Sequence, residues 1–232
     1  GTFNILQNSL FYFNNLPKNK KSKFKFMHIS TDEVFGSLGK SGLFNESSNY
    51  KPMSPYSATK AASDHLVDSW FHTFGLPSLV SNCSNNYGPR QFPDKLIPTI
   101  IINAINSNPI PIYGKGLNIR DWLFVEDHIN ALLLMAVKGN PGSHYCIGGA
   151  KEKSNLDICK IICNLLDNLK PQKSPYSSLI QFVEDRPGHD FRYGINSALI
   201  IKELGWKPFF KFEQTIKETV IWYLINKDWV NF

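Results

Sequence analysis

Lys23-Phe24-Lys25-Phe26-Met27-His28-Ile29 alternates polar and apolar residues and runs directly into Ser30-Thr31-Asp32-Glu33. A period of two marks a strand with one face toward a core, so the polar cluster stands where the strand stops. Ligands of open α/β sheets sit outside the carboxyl ends of the strands. Downstream, Pro55 precedes Tyr56-Ser57-Ala58-Thr59-Lys60, and helical spacing continues to about Phe74, with Gly75 as its stop. Proline suits the first turn of a helix and glycine the position just past its end. A buried strand over Leu76 to Asn82 follows and delivers Asn82-Cys83-Ser84-Asn85-Asn86-Tyr87-Gly88 at its own C-terminal end.

Working outward, an opening helix is expected from the first residues to about Phe13, then a lysine-rich loop before the strand. Gly36 to Pro55 is rich in Gly, Ser, Asn and Pro and reads as loop. Past Lys95 the pattern changes to helices over Leu96–Asn106 and Glu126–Val137, with short strands at Ile110–Tyr113, Ile119–Phe124 and His144–Ile147. Ser154 or Asn155 caps a helix running to about Leu166, Ile180–Val183 is a strand, and helices near 197–204 and 212–226 close the chain. The expected fold class is α/β: the C-terminal part of a Rossmann-like, doubly wound parallel sheet plus a smaller mixed α/β region. No G-x-G-x-x-G follows a strand anywhere, and the chain opens in mid-element. The sequence is therefore expected to be a piece of a longer protein, lacking the half that would cradle a pyrophosphate.

Composition narrows the class. The chain has 232 residues, 42% hydrophobic and 19% charged, which is ordinary for a globular protein. Its longest apolar helical run, Ala131 to Val137, is far too short for a membrane span, and no membrane partner is expected. Cys83, Cys146, Cys159 and Cys163 lack metal-ligand spacing and read as core residues of a reducing, cytoplasmic compartment. His28, His65, His72, His128 and His144 likewise read as structural, and no metal is expected. The net charge of +6 includes Lys18, Lys20, Lys21, Lys23 and Lys25. Without interleaved exposed aromatics these lysines form a solvated loop rather than a nucleic-acid patch. A mildly basic chain suits an anionic small ligand such as a nucleotide diphosphate.

The chemistry rests on four side chains. Tyr56 and Lys60 are four apart and share a helix face. A phenol acting as base at neutral pH needs its pKa lowered by roughly 3 units, which a nearby ammonium and a cationic ring can supply. Asp32 and Glu33 are consecutive, so on a regular strand they face opposite ways; both address one ligand only if strand geometry ends by Thr31. Facing one site, the carboxylates repel, one becoming a neutral acid while the other stays ionised. An acid and a base side by side are what elimination of water requires. Without the Tyr56-Lys60 pair, Asp32 reads better as the cap of a following turn.

These residues, with Phe92-Pro93-Asp94-Lys95-Leu96-Ile97-Pro98, Arg120-Asp121-Trp122-Leu123 and Asp185-Arg186-Pro187-Gly188-His189-Asp190, closely resemble the dTDP-glucose 4,6-dehydratases, a family of the extended short-chain dehydrogenase/reductase superfamily. Asp94 departs mildly, standing where the family commonly carries Glu. The resemblance implies NAD as cofactor, dTDP-glucose as substrate and a 4-keto-6-deoxy sugar as product. It makes Thr31, Asp32, Glu33, Tyr56 and Lys60 the catalytic set, with Tyr56, Lys60 and Asn86 also contacting the cofactor. Tyr56 would oxidise the sugar at C4 with Thr31 on the same oxygen, Glu33 would take the C5 proton, and Asp32 would protonate the departing C6 hydroxyl. Thr31, Asn85, Lys95, Leu96, Pro111, Ile112, Tyr113, Arg120, Asn155, Asp185, Arg186, Pro187, Gly188 and His189 would line the nucleotide-sugar pocket, with Arg120 and Arg186 offering forks for diphosphate oxygens.

The resemblance further implies that residues 1–90 hold the remainder of the NAD-binding domain with the catalytic residues. Residues 91–232 would hold mainly the nucleotide-sugar region, some of its elements returning to the first sheet. A homodimer would pair the opening helix and helix 56–74 with their symmetry mates. Three alternatives stand beside this reading: a UDP-sugar dehydratase, a 4-epimerase, and an inactive sugar-nucleotide-binding fragment. An epimerase needs the Tyr-Lys step but no acid pair.

Overall fold

The structure, a computed structural model, describes residues 1–229. The chain enters through a helix over Thr2–Asn15 (α1) and a single turn over Lys18–Lys21 (α2), so the lysine stretch is helical in part. The first strand, Phe26–Thr31 (β1), begins after the two lysines that seemed to open it and runs on past Ile29. Pairing fixes its end: Ser30 and Thr31 lie in parallel register with Asn82 and Cys83 of the second strand, Ser78–Cys83 (β2). Between them runs a helix over Pro55–Phe74 (α3). It opens with a reciprocal cap between Ser54 and Ser57 and ends at Gly75, whose φ of 67° is left-handed.

After β2 come Asn85–Tyr87 (β3), Leu96–Ile105 (α4), Ile110–Tyr113 (β4), Ile119–Phe124 (β5), Val125–Lys138 (α5) and His144–Ile147 (β6). Then follow Glu152–Ser154 (β7), Asn155–Leu169 (α6), Ile180–Val183 (β8), Ala198–Leu204 (α7) and Phe212–Ile225 (α8). The strands β3 and β7 are additions to the sequence reading. Each is three residues long, too short for a periodic signal, and each exists by pairing with β5, β3 parallel and β7 antiparallel.

The strands form three sheets, ordered β1-β2-β6, β3-β5-β7 and β4-β8. The first is wholly parallel, with β6 returning from late in the chain to pair with β2. Every residue of β2 is buried because helices cover both its faces. Val80 packs with Leu6, Val67 and Trp70 from α1 and α3, while Leu79 packs with Met135 of α5 and Tyr145 of β6. Continuous burial of this kind is the mark of a parallel sheet between helical layers. A second core joins α4, α6 and α8 and contains Cys159 and Cys163; all four cysteines are buried thiols. Among the described residues no helix is long and apolar enough to cross a membrane.

Candidate active site

At the end of β1 the chain leaves strand geometry at Thr31 and turns through a 3-10 helix over Asp32–Phe35. The Thr31 hydroxyl accepts from the Glu33 N–H (3.2 Å) and donates to Asp32 Oδ1 (3.3 Å). The turn breaks the alternation that would send the two carboxylates apart. Asp32 is 1% exposed, and its Oδ2 has no hydrogen-bond partner among the described residues; Glu33 is half-buried. Burial lifts the Asp32 carboxyl well above the usual range, and the charges of Glu33 and Asp121 add to this against Arg120 and Thr31. Burial raises Glu33 as well, but Arg120, Arg186 and Lys95 favour its ionised form. The expected contrast between the two carboxyls therefore arises from unequal burial and unequal exposure to cations, with mutual repulsion second.

Tyr56 and Lys60 stand on the first turns of α3. The Lys60 ammonium donates to the Ile29 carbonyl of β1 at 2.6 Å, tying the helix to the strand end. Tyr56 remains largely exposed. Its phenol is pushed up by burial and then by the charges of Glu33, Cys83 and Asp32, contrary to the expected lowering by Lys60. The reason is local: negative neighbours face the phenol, and the ammonium is engaged by the strand.

At the end of β2, Asn82 Nδ2 donates to the Thr31 carbonyl (3.3 Å), joining the two strand ends. Asn86 Nδ2 donates to the Ser84 carbonyl (3.0 Å) and to Cys83 Sγ (3.4 Å), and its Oδ1 meets His128 Nδ1 at 3.0 Å. Burial lowers the His128 pKa to about 4, so the ring is neutral. Its Nδ1 then carries the proton toward Asn86, and Nε2 accepts from Ser81 Oγ at 3.3 Å. The Ser84 hydroxyl and Asn85 Oδ1 are buried without partners among the described residues. Buried polar atoms left unpaired at a strand end fit a polar ligand there.

Arg120, which the resemblance assigns to the diphosphate, already commits donors to the protein. It is 5% exposed, lies over the Tyr193 ring at 4.4 Å, and donates to the carbonyls of Ile119 (2.8 Å) and Asp190 (3.0 Å). It thus joins β5 to the polar turn 185–190 while its charge acts on both carboxyls. Residues 185–188 of the turn are exposed, while the His189 side chain is tucked in at 5% exposure. Asp185 Oδ1 accepts from the Arg186 N–H (2.9 Å) and meets His189 Nδ1 (2.7 Å), with Pro187 before Gly188 at φ 66°. Tyr113, also exposed, is paired in register with Val183, which brings the end of β4 beside the turn. A Cβ on Gly114 would stand 2.9 Å from Asp185 Oδ2.

Other expected pocket residues are placed less directly. Ile112 is a core residue, buried with α4 and α6, so only its backbone is left for a ligand. Lys95 is exposed at the start of α4, 3.3 Å from Asp94, yet its charge reaches Glu33. Leu96, Pro111 and Asn155 bring no charge to this cluster; Asn155 opens α6 and donates its N–H to the Asn118 carbonyl. Sequence reasoning missed Asp121, His128, Tyr193 and Asp64. Burial raises Asp121 to about 6 despite backbone donors. Asp64 alone carried a signal, lying one further turn beyond Lys60 on the same helix face.

The sequence model of the family described as GDP-mannose 4,6 dehydratase matches residues 1–219. A probable dTDP-glucose 4,6-dehydratase from Sinorhizobium fredii is 54% identical over 99% of this chain and 65% of its own length. A dTDP-glucose 4,6-dehydratase from Neisseria gonorrhoeae is 54% identical, covering 98% of this chain and 67% of its own. The chain thus spans about two thirds of the length of these relatives. Among solved structures, the Bacillus anthracis dTDP-glucose 4,6-dehydratase in complex with NAD superposes with a TM-score of 0.86 at 42% identity, over 98% of this chain and 68% of that one. With the acid pair at the end of β1, the Tyr-Lys helix and these matches, the chain belongs to the dTDP-glucose 4,6-dehydratase family.

Proposed function

We propose that the full-length protein dehydrates dTDP-glucose to its 4-keto-6-deoxy product with NAD as a recycled cofactor, and that this chain carries the acid-base machinery. The observation that carries the reading is the pair at the end of β1. Asp32 is fully buried and shifted well toward its neutral form, beside a half-buried Glu33 whose own upward shift by burial is opposed by three cations. A ready acid adjoining a ready base is wasted on simple oxidation or epimerisation and is what water elimination across C5–C6 needs.

NAD supplies, when bound, acceptance of a hydride from sugar C4 and its return at C6. The chain's residues move the protons. Tyr56 takes the proton of the C4 hydroxyl, and Thr31 hydrogen-bonds the same oxygen. The phenol's raised pKa means that this step needs a positive charge beyond what the side chains provide, which an oxidised nicotinamide carries. The C4 ketone acidifies the C5 hydrogen, which Glu33 removes. Asp32 delivers its proton to the C6 oxygen as it leaves as water, and C5 regains a proton, the one Glu33 holds, as the hydride returns to C6. Asn86, with Tyr56 and Lys60, faces the cofactor. Arg186, Lys95, Tyr113 and the Asp185–His189 turn hold the nucleotide diphosphate, while Arg120 fixes that turn and tunes the carboxyls.

Residues 1–90 serve as the cofactor-side unit and 91–232 mainly as the nucleotide-sugar unit. The active species is a homodimer built on α1 and α3, in keeping with the exposed Phe3, Ile5, Phe11, Tyr12 and Phe74, and it works in the cytoplasm. The test is product analysis of the full-length protein incubated with NAD and dTDP-glucose, with UDP-glucose in parallel. Loss of one water and a C6 methyl signal are expected with the dTDP sugar. A C4 epimer that retains all its oxygens would overturn the reading.

A further inference from the structure

Asp64 lies on α3, one helical turn beyond Lys60, and is completely buried. Its Oδ2 accepts three hydrogen bonds: from Ser30 Oγ of β1 (2.8 Å), from the Tyr50 hydroxyl of the loop before α3 (2.8 Å), and from Asn82 Nδ2 of β2 (3.1 Å). Its Oδ1 stands 3.0 Å from His28 Nε2, also on β1. One carboxylate thus joins two strands, a loop and the helix that carries Tyr56 and Lys60. Its attachment at Ser30 precedes Thr31 by one residue and Asp32 by two, and Asn82 passes the connection on to the Thr31 carbonyl. Burial alone would raise this carboxyl, but the bonds from His28, Ser30 and Tyr50 outweigh it and hold it ionised.

We infer that Asp64 is a positioning residue: it sets the strand end bearing the acid pair against the helix bearing the phenol, so that one sugar meets both. This deepens the dehydratase reading and rests on it. Lys60 makes a second, independent tie between α3 and β1 through the Ile29 carbonyl, so loss of the Asp64 hub leaves the Tyr56 side in place. What shifts is the turn at 31–33. Oxidation at C4, which keeps Tyr56 and loses only the Thr31 bond, then slows less than removal of the C5 proton and loss of the C6 hydroxyl, and reduced cofactor accumulates during turnover.

The experiment uses full-length protein, wild type and three variants, with dTDP-glucose and NAD. Product formation is followed together with the near-ultraviolet absorbance of reduced nicotinamide, and both are normalised to folded protein by circular dichroism. Asp64→Leu is expected to lower dehydration on the order of 100-fold, the scale of an ångström's misplacement, with a reduced-cofactor signal absent from wild type. Asp64→Asn keeps an oxygen where three donors converge and is expected to stay within about threefold of wild type, since an uncharged acceptor can still serve them. Ser30→Ala, which removes one bond and leaves the fold least disturbed, is expected to show a smaller accumulation. Loss of activity in Asp64→Leu and Ser30→Ala without reduced cofactor, or full activity in both, would overturn the positioning role. A wild type that releases no dehydrated sugar would instead refute the dehydratase reading, and this inference with it.

Discussion

At the end of β1 the acid pair is capped and braced, with Asp32 only 1% exposed, Glu33 half-buried and Thr31 bonded to both. The Asp185–His189 turn, joined to it through Arg120, is solvent-exposed at residues 185–188 and held by a few local bonds. The difference follows what each region has to do. Charge moves at the first, so its groups must be fixed and desolvated before substrate arrives. The second meets an anionic ligand that brings its own hydrogen-bonding oxygens, and a solvated cationic turn can close on it at little cost in desolvation. Substitutions in the first region should therefore alter turnover, and those in the second should alter binding.

The largest effect that sharpens this contrast is expected from Glu33→Gln and Asp32→Asn in the full-length protein. Each should lower kcat for dehydration by roughly 10²–10⁴ with little change in KM, measured by steady-state kinetics on dTDP-glucose. Arg120 belongs to both regions. Arg120→Met should lower kcat/KM by on the order of 10–100-fold, because a buried stacked guanidinium and its carbonyl bonds are lost together. It should also move the rising limb of the pH–rate profile to higher pH. Arg120 favours the ionised form of Glu33, so its removal raises that carboxyl and delays formation of the base.

Burial at the first region also has a stability cost with a definite sign. Asp32 and Asp121 have folded pKa values above their unfolded ones, Asp121 at about 6. Such groups contribute stability that is complete below an unfolded value near 3.9 and is lost as pH rises through the folded value. Asp32→Asn should therefore be more stable than wild type at neutral pH, while being nearly inactive. Equal melting at pH 4 and a gap at pH 7 would confirm the sign in a denaturation series. The smallest effect belongs to the exposed turn. Arg186→Ala should raise KM about tenfold, leave kcat within twofold, and matter less as salt is added. A fall in kcat instead would erase the contrast between the regions.

Much of the scaffold could be read from the residues because local signals and tertiary context agree there. The strands β4, β5, β6 and β8 have the expected ends, and α3 starts at its proline and stops at its glycine. The departures have physical causes. The ends of β1 and β2 depend on their mutual register, and β3 and β7 exist only through β5; neither is a property of one segment. The burial of Arg120 under Tyr193 and its tie to Asp190 were not legible, because they come from contacts some 70 residues apart. Spacing shows that Lys60 shares a face with Tyr56, but not that Ile29 engages the ammonium or that burial, then Glu33, Cys83 and Asp32, push the phenol up. Likewise, Asp32 and Glu33 could be seen as a pair, whereas the unequal burial that separates them required the fold.

That separation is the central claim, and rapid quenching of Glu33→Gln tests it most directly. With the base removed and Tyr56 and Lys60 intact, a single turnover of full-length protein with dTDP-glucose and NAD should build up the oxidised, undehydrated 4-keto sugar together with reduced cofactor. Dehydrated product appearing at the wild-type rate, with no oxidised sugar trapped, would contradict the account.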